Sequence, residues 1–240
     1  MKNWKHACWL AKFELQASLL GLVWTLLGSL MVCLFFYFLQ LDPYSKSDPM
    51  LLFDLLFLLS FTVVPLWSKP KAFQISKDYR APGMELLLTM PAVKDEIAKS
   101  RMIIYIVYSL VFQIPLLVSF YFSSSLVQAA LSPLHYLSFA IIWLSFGLYA
   151  GTWCLSAEFG QEKTYKKWEL SLYFILTALI AAAIYKGIKF AFGSGLVYGT
   201  ITAARNWPLA AILISIFLAA AGLHFIHQYN LKLLKKVDYL

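Results

Sequence analysis

Charge is scarce in this chain. Of 240 residues only 13% are Asp, Glu, Lys or Arg, and the acids number 12 against 20 Lys and Arg. A soluble domain carries about 25% charged residues, so an ordinary water-soluble fold is excluded. Cysteine is also rare. Cys8, Cys33 and Cys154 fall at the inner interface or within apolar runs, and none falls in an outer loop, which excludes a disulfide framework. A nucleotide-binding loop is missing. The glycines nearest to one, Gly193 with Gly195 and the separated Gly147 and Gly151, are not followed by Lys-Ser or Lys-Thr. The chain cannot hold ATP by that route, and no Ser-His-Asp or paired-carboxylate arrangement points to catalysis by its own residues. There is no internal repeat, low-complexity tract or linker, and no polar segment long enough to be a separate domain. The start is basic, but the first apolar run is too long for a signal peptide and lacks a small-residue cleavage site.

What the chain has is apolar length. Apolar residues make up 61% of it. They gather in six runs, residues 19–39, 50–67, 102–122, 134–156, 170–185 and 208–227. About 20 helical residues cross the roughly 30 Å hydrocarbon core. In lipid each backbone polar group must be satisfied within its own segment, so the runs are expected to be helices. The expected fold is therefore all-α: a single integral membrane domain over residues 1–240, with six transmembrane helices. Six spans put both termini on one side. That side takes sixteen of the twenty Lys and Arg, and only Lys46, Lys186, Lys189 and Arg205 lie opposite. Cytoplasmic loops carry the excess, so both termini are expected in the cytoplasm. The net charge of +8 is mostly this asymmetry and an attraction to anionic lipid. No basic stripe with interleaved aromatics suggests nucleic acid as a partner.

Residues 1–18 do not span. Trp4, Ala7, Cys8, Ala11 and Leu15 share a helical face, with Lys5, Lys12 and Gln16 elsewhere, which suits an interfacial amphipathic helix or a basic topogenic leader. The first outer loop carries Asp42-Pro43 and Asp48-Pro49, both turn signals, and the second, 123–133, carries no charge. The third, 186–207, is an apolar outer loop rich in glycine. It either packs back against the membrane edge or is the overlong end of the fifth helix followed by an ordinary loop. Gly147 and Gly151 form a small-xxx-small motif in the fourth span, expected to allow close helix packing within the chain, with a dimer contact as the alternative. Asp54, about one turn inside the second span, is a possible residue of a substrate or ion pathway, or simply a carboxylate that reaches water. Lys186 and Lys189 could pair with it or snorkel. His224 and His227 have metal-ligand spacing, but no third ligand is close in sequence, so no metal site is expected. Trp4, Trp9, Trp67, Trp168 and Trp207 fall near span ends as an aromatic belt, while Trp24, Trp143 and Trp153 lie within spans, where packing is the ordinary explanation. Glu158, Glu162 and Glu169 alternate with Lys163, Lys166 and Lys167, as on a short solvated helix or a minor partner contact.

The inner loop 68–101 is the most specific feature. Within it, residues 83–90 read as a short helix bracketed by Pro82 and Pro91, with Met84, Leu87 and Leu88 on one face and Lys77, Asp78, Arg80 and Glu85 around it. Such a face can dock into a groove of a soluble partner, or lie on lipid. The order Asp78, Arg80, Gly83, Glu85, Leu86, Leu87, Leu88, Pro91, Lys94, Glu96, Lys99 resembles a stretch between the second and third spans of permeases of the ABC-2 type exporter family. Met84 stands where that pattern has Thr, and Pro82 is an addition. The resemblance extends to the whole layout. It implies that the loop is a cytoplasmic coupling helix, that Asp78, Arg80, Gly83, Met84, Glu85, Leu86, Leu87, Leu88 and Pro91 seat a separate ATPase subunit, and that this partner binds the ATP and Mg. It also implies a second permease subunit, identical or related, and export of an amphipathic substrate such as a peptide or peptide antibiotic. A membrane scaffold or immunity factor that binds a soluble partner without transport is the alternative.

Overall fold

The computed structural model describes residues 2–39, 49–62, 93–159 and 195–236. Among them are eight helices: α1 (Lys2–Ala17), α2 (Leu19–Leu39), α3 (Pro49–Thr62), α4 (Lys94–Ser123), α5 (Ser125–Ala130), α6 (Pro133–Phe159), α7 (Leu196–Asn206) and α8 (Pro208–Lys236). Four contain stretches long and apolar enough to cross a membrane: Leu19–Tyr37, Lys94–Ser123, Pro133–Ala150 and Pro208–Lys232. Of the expected second span, α3 supplies the residues up to Thr62, and the fifth, 170–185, lies outside the described residues.

The third span begins earlier than expected. Residues 94–101 were assigned to the inner loop for their charge, yet α4 starts at Lys94. Asp95 and Glu96 in its first turn complement the helix N-terminus, and Lys99 follows Asp95 at the i,i+4 spacing that pairs them. Between these charges Ile97, Ala98 and Ser100 are buried, so the segment is the amphipathic end of one long helix. At 30 residues α4 is about 45 Å long. Half of its apolar window is buried (50%), against 17% in α2 and in α8. α4 is thus the central post, and α2 and α8 turn most of their surface outward, where lipid covers it.

The main core lies toward the end of α4 at Ser123. Phe57 and Phe61 of α3, Phe112 and Phe120 of α4, and Phe139 and Trp143 of α6 pack there, nearly all solvent-excluded. Phe57 meets the Trp143 ring edge-on, centroids 4.6 Å apart at 84°, a geometry that suits the ring quadrupoles. Val197, Ile201 and Ala204 of α7 complete the cluster. The described part of the 186–207 segment therefore includes a helix laid back on the bundle. The loop 123–133 holds the short α5, whose start is capped by the Ser124 hydroxyl accepting from the Val127 amide at 3.3 Å.

At the opposite end α1 lies along the base of α4. Ala7, Ala11, Glu14 and Ser18 are buried, at helical spacing, and Ile104 and Tyr108 of α4 pack against them. Trp9 and Phe13 face outward. Ser18 separates α1 from α2, and the Tyr108 hydroxyl donates to its Oγ at 2.9 Å, fixing the joint.

Candidate functional site

The base of α4 brings together charged side chains of α1, α4 and α8. Arg101 is ion-paired with Glu14 of α1, the two side chains 11% and 8% exposed. His6 Nδ1 of α1 lies 3.3 Å from Glu96 Oε1. Asp95 takes Lys99 on its own helix and His227 Nε2 of α8, at 3.2 Å. The Lys99 ammonium also stands 5.1 Å from the centroid of the Trp4 ring, a cation–π contact to α1. Lys94 donates to the Leu234 carbonyl at 2.9 Å, capping the last turn of α8 with a positive charge. Every acid in this group has a cation or histidine beside it. The base of α4 is thereby tied to α1 by the Arg101–Glu14 ion pair and the His6–Glu96 contact, and to α8 by two polar contacts. Arg101 Nε and Asn230 Oδ1 are buried there without a hydrogen-bond partner among the described residues.

Among the described residues no three His, Cys, Asp or Glu side chains are grouped to hold a metal ion. The contacts at the base of α4 form a joint of three helices; its Arg101–Glu14 pair is closed to solvent, and parting it leaves a charge buried. The joint begins directly after the 63–92 segment, with Val93 as the helix cap.

The residues expected to seat an ATPase, Asp78, Arg80, Gly83, Met84, Glu85, Leu86, Leu87, Leu88 and Pro91, lie outside the described residues. Lys186 and Lys189 do as well. Lys94, Glu96 and Lys99, the tail of the same motif, are the ones that reach α8 and α1.

Asp54 is where the pathway expectation meets a different geometry. It is 4% exposed, so it does not reach water. Its two oxygens accept the Leu196 and Val197 amides at 2.6 and 2.9 Å, which caps the α7 N-terminus from another helix. Gly147 lies on α6 against α4. A β-carbon there would collide with the Gln113 amide, and the Gly147 carbonyl accepts from the Tyr105 hydroxyl at 2.8 Å. Close approach at this glycine is within the chain. Gly151 also belongs to α6, but its surroundings lie outside the described residues. Gly222 of α8, which no pattern singled out, makes a second close approach, against the Tyr149 ring. Trp143 is packed in the core and its indole N–H donates to Thr200 Oγ1 at 3.1 Å.

Glu14 and Asp95 are the members of this charged cluster that sequence reasoning did not single out. Glu14 carried a signal: it is the one acid among the first 41 residues, set on the alanine stripe of α1. Asp95 and His227 are separated by more than a hundred residues, and no local pattern joins them. No family model, characterised protein or solved structure matches the chain.

Proposed function

We propose that this chain is the permease subunit of an ATP-driven exporter in a bacterial cytoplasmic membrane, with both termini in the cytoplasm. A separate ATPase subunit, which binds the ATP and Mg, docks on the 82–91 segment. A second permease subunit completes a path for an amphipathic substrate, a peptide or peptide antibiotic first. The chain is not itself an enzyme.

The observation that carries the reading is the continuity between the charged motif and α4. The motif resembles an ATPase-docking stretch, and its tail runs into a helix whose first two turns are paired with α1 and α8. A push on that loop reaches three helices at once, which is what coupling a remote ATPase to a membrane path requires. The four apolar helices, the one-sided Lys and Arg, and the lack of a nucleotide-binding loop in the chain support the same reading.

The test is affinity purification from the native membrane, with identification of what comes along. A nucleotide-hydrolysing subunit is expected with the wild type and lost with Glu85→Arg plus Leu87→Asp. An ATPase complex that survives the double substitution refutes the docking assignment. Capture of a soluble partner without a nucleotide-binding motif, with no ATPase, favours the scaffold or immunity reading instead.

A further inference from the structure

A cavity of about 210 Å³ opens between α5 and α7, at the end of the bundle opposite the charged joint. Ala130 closes it on one side, and Tyr198, Ile201, Thr202, Arg205 and Asn206 of α7 line the other. Among the described residues no carboxylate lines it. Arg205 and Asn206 are exposed, and neither side chain makes a hydrogen bond or ion pair. The Thr202 hydroxyl is spent on the Tyr198 carbonyl at 3.0 Å. The free polar groups are therefore a guanidinium fork and a side-chain amide, one fixed positive charge with N–H donors at a cavity mouth.

We propose that this cavity binds a phosphate group. A guanidinium matches two phosphate oxygens at once, and the amide of Asn206 supplies a further donor. An amphiphile suits the surroundings best. Trp207 and Leu209 follow directly and are 70% and 75% exposed, so an apolar surface for acyl chains adjoins the polar mouth. An anionic phospholipid headgroup and free phosphate share the recognised chemistry, and their binding can be told apart. Arg205 also sits in the last turn of α7, where a positive charge complements the helix carbonyls. That role alone would need no cavity and would give no ligand dependence. The site does not depend on the transport reading, since it lies at the other end of α4.

Calorimetric titration of the purified full chain in non-ionic detergent tests this. The probes are dihexanoyl phosphatidylglycerol, inorganic phosphate and dihexanoylglycerol, which has the same chains and no phosphate. Phosphatidylglycerol is expected to bind, dihexanoylglycerol not, and Arg205→Gln is expected to weaken binding by about tenfold or more. Arg205→Lys should fall between, since it keeps the charge and loses the fork. Lys232→Gln, which removes one charge at the other end, should leave binding unchanged. Arg205-dependent binding of inorganic phosphate with no gain from the acyl chains supports the site and makes free phosphate its source. Equal binding by wild type and Arg205→Gln, equal loss in Lys232→Gln, or binding of dihexanoylglycerol as tight as that of the phospholipid, each overturns the proposal.

Discussion

Removing Glu14 tests the joint at the base of α4. Its partner Arg101 is 11% exposed, and Arg101 Nε has no acceptor among the described residues, so the guanidinium relies on Glu14 for compensation. An exposed pair contributes about 0–1 kcal/mol. Breaking a buried pair by deleting one partner costs about 3–5 kcal/mol, because a charge is left without a counter-charge in a site closed to water. The low exposure of both side chains places this pair in the second class. Glu14→Leu alone should therefore lower stability by about 3 kcal/mol, roughly two orders of magnitude in the folded-to-unfolded ratio. Arg101→Met alone removes the other charge of the pair and should lower stability as well. Glu14→Leu with Arg101→Met removes both charges and fills the space with apolar groups, so it should lie within about 1 kcal/mol of wild type. The assay is reversible unfolding in mixed micelles by added SDS, followed by circular dichroism, for all four chains. Additive effects below about 1 kcal/mol in the single variants would show a solvated pair with no mechanical role, and the reasoning about a rigid joint would fail.

Three further outcomes follow from the packing. Gly147→Val should destabilise by about 1–3 kcal/mol through collision with the buried Gln113 amide, and Gln113→Ala in the same chain should restore part of the loss; a neutral Gly147→Val means the contact is absent. Asp54→Ala should cost about 1–2 kcal/mol and show as faster hydrogen exchange confined to residues 196–206, whereas unchanged exchange there would deny Asp54 its capping role. With Cys33 and Cys154 changed to Ser, the exposed Cys8 should resist an impermeant maleimide in intact cells and react after permeabilisation, and labelling of intact cells would reverse the orientation.

Legibility from sequence tracked the range of the forces. Lipid-facing helices were readable because their surroundings are uniform: α2 and α8 meet hydrocarbon over most of their surface, so an apolar run alone specifies them. The first two turns of α4 were not. Lys94, Asp95, Glu96, Lys99 and Arg101 look like loop residues by charge, and only partners on α1 and α8, up to 140 positions away, make them part of a packed helix. Asp54 misled for the same reason. A carboxylate near a span end suggests access to water, but the amides that satisfy it belong to a helix 142 residues further on. Gly147 and Gly151 were legible as a close-packing motif, yet for Gly147 the choice between a neighbour in this chain and one in another copy needed the position of Gln113, and the surroundings of Gly151 lie outside the described residues. The loop that carries the strongest resemblance, 82–91, lies outside the described residues, so its placement rests on its motif and on where α4 begins.

α4 is held differently at its two ends, and that difference decides how the bundle can move. Near Ser123 it is held by aromatic burial against α3 and α6, an attraction that is lost gradually as rings slide and that tolerates small rotations. At Lys94 it is held by the buried Arg101–Glu14 ion pair and by polar contacts of Lys94 and Asp95 to α8, which are short, directional and costly to leave half made. Pinned in mid-length by the Tyr105–Gly147 hydrogen bond, α4 has its least yielding contacts at the base. A displacement of the loop before Val93 should therefore carry α1 and the end of α8 with α4, and be absorbed where rings can slide. α2 is joined to α1 through Ser18 and packs on α4 through Phe36 and Cys33, while 17% of its apolar window is buried and most of its surface faces outward. In a membrane, lipid replaces lipid along that face at little cost. A push at the base of α4 is accordingly expected to reach α2 through α1 and Ser18, and to meet little opposition along the outward face of α2.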